Sequence, residues 1–272
     1  MSEHKEGSIE APTRYPIAWE KNDFSDPKAL FKELKRVFEI CSGCRRCFNL
    51  CAAFPKLFDL VDQTPSGNIN DVDEKRLWEV IDNCFLCDIC FKTKCPYVPP
   101  HEFNVDFPDL MLRAKAYKFK NQGVSFRDRA LSDPEKLGTF LGIPVISHTV
   151  NAVNKSKIGR LTTEITLGVD RDAPRPRFYS RTARKNISKH WKNNEKLTHN
   201  NDQLGVVLFV TCYGNNNNPE IIEDTVACLE KSNIPIVFSS KEKCCGMPKL
   251  ELGDIKSVEK LKNINVNKLY PW

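Results

Sequence analysis

Residues 41–51 read CSGCRRCFNLC, and residues 84–96 read CFLCDICFKTKCP. The first run places Cys41, Cys44, Cys47 and Cys51. The second places Cys84, Cys87, Cys90 and Cys95, with Pro96 directly after. A C-x2-C-x2-C spacing curls the backbone so that three thiols face one small volume. A four-iron, four-sulfide cube takes one thiolate per iron, so each triplet needs a fourth thiol from elsewhere. Zinc sites use two C-x2-C pairs separated by a longer loop, each giving two ligands. Triplets followed by a fourth cysteine therefore favour iron–sulfur over zinc and over a disulfide framework.

When two such runs occur in one domain, the trailing cysteine of each ligates the other cluster. Cys41, Cys44, Cys47 and Cys95 are then one ligand set, and Cys84, Cys87, Cys90 and Cys51 the other. Four residues separate Cys90 from Cys95 where three are usual, and only Cys95 is followed by proline. These departures bear on loop shape more than on cluster type.

The chain has 272 residues and a formal charge of +6. Two four-iron clusters with their thiolates would offset this by roughly four units, about −2 each. The lysines and arginines therefore balance cofactors and say little for nucleic acid. The start, MSEHKEGSIEAPTRYP, has no apolar core or arginine pair of an export signal. No apolar run has the length of a membrane span. Many cysteines without an export signal suit a reducing compartment and metal ligation, so a cytoplasmic place is expected, at most peripheral to a membrane through a partner.

Residues 1–24 read as a flexible or partner-docking arm. Asp26-Pro27 opens a helix with Leu30, Phe31, Leu34, Val37 and Phe38 at helical spacing, delivering Cys41. Residues 73–82 repeat the logic with Leu77, Val80 and Ile81, delivering Cys84. Phe48, Leu50, Phe85, Leu86, Ile89 and Phe91 lie between the ligands and are expected to wall them off from water. Arg45, Arg46, Lys92 and Lys94 are expected to stay solvated, and His101 to be a surface or hydrogen-bonding residue. Pro108 opens a helix that packs Leu110, Met111 and Ala114. Residues 25–122 thus form an all-helical two-cluster domain, and 123–203 a helical and irregular connector with a basic run.

A second domain is expected over 204–272. LGVVLFVTC reads as a buried strand, GNNNNP as a turn, PEIIEDTVACLEK as a helix with Cys228 in its core, and IPIVFSS as a second strand. This is one βαβ unit with parallel strands. Cys212 and the pair Cys244-Cys245 then emerge at the same carboxyl edge, where open α/β sheets place ligands. The last helix should turn Ile255, Val258, Leu261 and Ile264 inward.

With these residues in view, the chain resembles the cysteine-rich iron–sulfur oxidoreductases related to heterodisulfide reductase subunits and to a subunit of anaerobic glycerol-3-phosphate dehydrogenase. CSGCRRCFNLC and CFLCDICFKTKCPYVPPHEF resemble the family's paired ferredoxin motifs. FVTCYGNNNNPE with KCCGMP resembles the first half of its CCG module. The resemblance implies an α + α/β fold: an all-helical dicluster ferredoxin domain, then a partial CCG-type domain. It implies a third cluster at Cys212, Cys244 and Cys245 only if further residues or a partner complete the site. A module left with two strands and three cysteines is expected to be completed by more chain or by a partner.

The sequence thus predicts an electron-transfer component of an oxidoreductase. Two [4Fe–4S] clusters pass electrons to or from Cys212, Cys244 and Cys245, the candidate catalytic residues. The partner is a flavoprotein or another redox protein, because no nucleotide-binding glycine fingerprint is present. One rival is a thiol–disulfide enzyme acting through Cys244 and Cys245, which thiol alkylation would silence. The other is a zinc-stapled nucleic-acid-binding protein, which would be colourless and bind in a salt-dependent way.

Overall fold

A computed structural model describes residues 11–187, 205–239 and 242–270, without the side chains of Lys94 and Phe238. The first ten residues, the basic run beyond residue 187, and the expected strand ends at 204 and 240 lie outside the described residues. Contacts group the chain into two compact units. One runs to Gly123 and takes in Leu250–Ile255; the other runs from Val124 to Lys249 and resumes at Lys256.

The first unit is helical. In α1 (Pro27–Cys44) the Asp26 carboxylate accepts from the Ala29 N–H, and Pro27 opens the first turn. Leu30, Leu34, Val37 and Phe38 form its buried stripe. The helix does not stop at Cys41 but carries on to Cys44, where Arg45 ends it in the left-handed region at φ 52°. A helix that the sequence pattern does not announce follows, α2 (Ala53–Asp62), burying Phe54, Leu57, Phe58, Leu60 and Val61. α3 (Glu74–Asp82) is capped by Asp73 and buries Leu77, Val80 and Ile81. α4 (Phe107–Gln122) is capped by Asp106 and buries Leu110, Met111 and Ala114. The Phe107 ring lies 5.9 Å from Phe38 and 4.7 Å from Phe54. Each fully buried Leu or Phe contributes roughly 1.5–3 kcal/mol, so this stripe-on-stripe packing fixes the helices that present the cysteines.

Residues 11–24 are not a free arm. Arg14 pairs with Asp88 at 2.5 Å and Asp106 at 2.9 Å, and its guanidinium sits 4.1 Å over the Phe91 ring. The chain also returns late. Gly253, at φ 82°, presses on α4 so closely that a Cβ there would sit 2.4 Å from the Lys115 carbonyl oxygen.

In the second unit the expected connector is largely helical: α5 (Phe126–Leu131), α6 (Pro134–Leu141), α7 (Pro144–Lys155), α8 (Lys157–Leu167) and, after an extended stretch, α9 (Ala183–Asn186). It belongs to one contact group with the βαβ segment. β1 (Val206–Leu208) pairs in parallel with β2 (Ile236–Phe238), Val206 opposite Ile236. Between them lie α10 (Cys212–Asn216) and α11 (Pro219–Lys231). Cys212 therefore starts a helical turn instead of ending a strand, because the Thr211 hydroxyl caps the Gly214 N–H. β1 is short and half-exposed, not a buried central strand. α11 turns Ile222, Val226 and Leu229 to a small core with Val210, Ile236 and Ala183. Cys228 falls off that stripe and is exposed, against the expectation of a core position. α12 (Met247–Glu251) and α13 (Ile255–Leu269) complete the chain. α13 buries none of its residues fully, and Ile264 is exposed instead of inward.

Candidate functional site

Two groups of cysteines lie in the first unit. Cys41, Cys44 and Cys47 line one pocket together with Cys95 from the other run, walled by Ile40, Phe54 and Val105. α1 supplies Cys41 and Cys44 from one rigid face, and the tight turn at Arg45 swings Cys47 back toward them. Cys95 arrives because one wide helical turn, Cys90–Lys94, closes with the Cys95 N–H donating to the Cys90 carbonyl. That wide turn absorbs the extra residue between Cys90 and Cys95. In the other group, Cys51 lies near both Cys84 and Cys90. Leu86 and Asp88 flank Cys87 at φ 50° and 63°. Two left-handed residues so close together curl this run tightly, and such backbone strain is held only where surrounding contacts fix it. Arg14, bound to Asp88, is one such contact.

Cys41, Cys84, Cys90 and Cys95 resist ionisation. Burial, then Cys95, Cys47, Cys90 and Cys44 nearby, push Cys41 well up. Burial pushes Cys84 up to about 11. Burial, then Cys84, Cys47 and Cys51, raises Cys90 strongly. Thiolates gathered in an apolar pocket repel one another, so the set suits a cationic core that neutralises them and displaces their protons. Among the described residues no group of three or more His, Cys, Asp or Glu is crowded onto a single metal ion.

The expected dry wall is only partly formed. Leu86 and Phe91 are buried, but Phe48, Phe85 and Ile89 are exposed, as is Cys87. The helices already fill the core, and these loop side chains fall outside it. Arg45 pairs with Asp62 and lies over Phe58; Arg46 and Lys92 are exposed, and the side chain of Lys94 is outside the described set. His101 accepts at Nδ1 from the Phe103 N–H and contacts Tyr97 edge-on. Lys115, which the sequence did not single out, reaches the second cysteine run. Its ammonium is buried, donating to the Cys84 carbonyl at 2.6 Å and pairing with Glu251 at 2.6 Å. A lysine four residues after buried Met111, on the apolar face of α4, was the signal that could have found it.

In the second unit, Cys212 and Cys244 meet with their sulfurs 3.6 Å apart, and Cys245 is adjacent and exposed. The loop is held by polar contacts. The Cys244 N–H donates to Glu135 at 3.1 Å, and Asn265 Nδ2 donates to the Cys244 carbonyl at 3.3 Å. Arg184 donates to the Ser239 and Val210 carbonyls at the two strand ends and pairs with buried Glu242. Gly246 takes φ 87°, which a side chain would disfavour. Glu135, Arg184 and Asn265 come from three distant segments, and no local pattern marks them.

The fold and its thiols thus define an iron–sulfur protein of two cysteine-bearing modules. Sequence comparison agrees: residues 40–98 match a 4Fe-4S dicluster domain, and residues 206–270 match a cysteine-rich domain, the CCG family. The chain is 31% identical over 104 residues to citrate utilization protein B of Escherichia coli, covering 38% of this chain and 24% of that protein. It is 25% identical over 166 residues to a subunit of the anaerobic glycerol-3-phosphate dehydrogenase of Escherichia coli K12, covering 61% of this chain and 40% of that one. The expected kinship with that dehydrogenase subunit holds. The chain spans well under half the length of these relatives. No solved structure matches it. Among the described residues no helix is long and apolar enough to cross a membrane.

Proposed function

We propose that the chain is an electron-transfer subunit of an oxidoreductase, carrying two [4Fe–4S] clusters. Cys41, Cys44, Cys47 and Cys95 would hold one, and Cys84, Cys87, Cys90 and Cys51 the other. The observation that carries this reading is the arrival of Cys95 in the pocket of the first run. Bound there, each cluster supplies reversible one-electron storage. The chain's own part is to hold the thiols rigidly on α1 and the two curled loops, and to offset charge with Lys115. The exposed edge at Cys87 offers a route for exchange with a partner. That partner is a flavoprotein or another redox protein, in keeping with the dehydrogenase subunit among the relatives.

Cys212, Cys244 and Cys245 would form the far terminus of the electron path, in a second domain that takes in the helices from residue 124. A cysteine-rich sequence of metal-ligand spacing suits a reducing, cytoplasmic setting. The test is anaerobic purification followed by iron and sulfide analysis with electron paramagnetic resonance of the reduced protein. About eight irons with matching acid-labile sulfide are expected. Stoichiometric zinc without sulfide would overturn the reading.

A further inference from the structure

We infer that Arg14 is a positioning residue for the second cysteine run: acting through Asp88, it holds the loop from Cys87 to Cys90 in its curl and cancels the one carboxylate charge of that loop. The inference rests on the reading of Cys84, Cys87, Cys90 and Cys51 as the ligands of an iron–sulfur cluster. It adds which residue outside the run sets the shape and charge of that site.

The loop does not hold its own shape. Asp88 follows Cys87 in the chain and takes φ 63°, and Leu86 before it takes φ 50°. Residues with side chains disfavour that region, so the curl persists only where other contacts fix it. Phe85, Cys87 and Ile89 are exposed, so apolar packing fixes little of it. Arg14 supplies the missing hold. Its Nη1 donates to the Asp88 carboxylate at 2.5 Å, while Nε and Nη2 fork onto Asp106 at 2.9 and 3.0 Å. The same guanidinium lies 4.1 Å over the ring of Phe91, the residue after Cys90. One side chain thus grips the run both before and after Cys90.

Arg14 is itself anchored. The Thr13 N–H donates to the Pro99 carbonyl at 3.0 Å. Further along the same segment Phe24 is buried, and Arg113 donates to its carbonyl at 2.9 Å. Asp106 is fixed as the cap of α4, accepting from the Asp109 N–H at 3.0 Å. The loop is therefore tied through Arg14 to the start of a packed helix. A lysine could not fork onto Asp106, reach Asp88 and lie flat on Phe91 together.

Charge points the same way. Asp88 is the only acidic residue between Cys84 and Cys95. A free carboxylate beside Cys87 would oppose the extra electron of a reduced cluster, and the half-buried Arg14 offsets it. Lys115 acts on the same run from the other end, at the Cys84 carbonyl.

The test uses the full chain, prepared anaerobically, with two readouts. One is hydrogen exchange over residues 87–95, where the Lys92 N–H donates to the Asp88 carbonyl at 2.9 Å. The other is redox titration followed by electron paramagnetic resonance. Arg14→Met should speed exchange in this stretch by about tenfold or more. At a fixed potential it should also cut the reduced-to-oxidised ratio of the second cluster by about tenfold, about 59 mV for one electron, and move the first cluster much less. Asp88→Asn should speed exchange in the same way but shift the second cluster upward. The double variant should return the potential toward wild type and keep exchange fast. Arg14→Lys should keep the potential and lose part of the protection. Unchanged exchange in Arg14→Met would overturn the inference. So would faster exchange with both clusters unmoved or shifted together, which would mark a staple for the segment before α1 and nothing more. If Arg14→Met does not fold, Asp88→Asn and Arg14→Lys decide by the same readouts. Wild-type protein without acid-labile sulfide would remove the cluster reading, and the exchange comparison would still decide whether Arg14 holds the loop.

Discussion

The two groups of cysteines are held by opposite means. In the first unit, eight thiols sit on helix ends and on short loops between helices whose stripes of Leu, Val and Phe lock together. In the second, three thiols hang on two strands of three residues each and are placed by Glu135, Arg184 and Asn265. Apolar packing sets position without fixing charge, which suits ligands that must surrender protons to a cationic core. A hydrogen-bonded loop sets position through directed contacts from distant segments.

The largest expected break of this contrast comes from Cys95→Ser. Cys95 sits in the second run by sequence but lines the pocket of the first. The substitution should remove the cluster held by Cys41, Cys44 and Cys47, close to half the roughly eight irons, and leave the Cys84 set intact. Loss confined to the Cys84 set, seen by iron analysis and the spectrum of the reduced protein, would overturn the crossed arrangement.

How much of this could be read from the sequence follows the same division. α1, α3 and α4 were legible because each has a side-chain cap and an apolar stripe at one period. α2 was not, because Pro55 stands in its first turn and the apolar residues crowd together, so its start looks like a loop; proline there in fact costs nothing. The cysteine spacing named the metal chemistry at once, since ligand spacing is local. Cys212 and Cys244 could be sent to one edge by the βαβ pattern, but not to contact, which depends on α10 replacing the end of the strand. Glu135 and Arg184 lay beyond reach because their role exists only once distant segments meet. β1 misled because an apolar run of that length reads as a buried strand, while only three of its residues pair.

A smaller effect should come from Lys115→Met. The ammonium lies against the Cys84 carbonyl, so its charge favours the reduced form of the cluster at Cys84, Cys87 and Cys90. Removing it should lower the potential of that cluster and leave the one at Cys41 unmoved, as measured by redox titration followed by electron paramagnetic resonance. It also strands Glu251, one oxygen of which is already buried without a partner. A stability loss of about 2–4 kcal/mol is expected, toward the low side because Glu251 keeps some solvent. Glu251→Gln in the same chain should recover part of the stability and, because it removes a negative charge near Cys84, part of the potential. Equal potentials in wild type and Lys115→Met would show that packing alone tunes the clusters.

The smallest expected effect compares two buried carboxylates. Glu242 in the second unit pairs with Arg184 through one oxygen, while its other oxygen is buried without a partner. Asp109 in the first unit, in the opening turn of α4, has one oxygen buried without a partner. Burial, then the neighbouring Asp106, raises its carboxyl to about 6, and Arg14 and Arg113 offset this only in part. A carboxyl whose folded value lies above its unfolded value binds more protons when folded. Stability from this group is therefore fully present below about pH 4, falls as pH rises from about 4 to 6, and is flat above. Asp109→Asn removes the burden of a buried charge and should be more stable than wild type at pH 7 by about 1–2 kcal/mol, discounted for the exposed part of the side chain. The difference should shrink steadily toward pH 4. Urea unfolding of the two proteins at matched pH reads this directly, because any acid sensitivity of the clusters is common to both and cancels. A variant less stable than wild type at pH 7, or a difference independent of pH, would show that Arg14 and Arg113 hold Asp109 ionised. The first unit would then owe its stability near α4 to charge pairing, as the second does around Glu242.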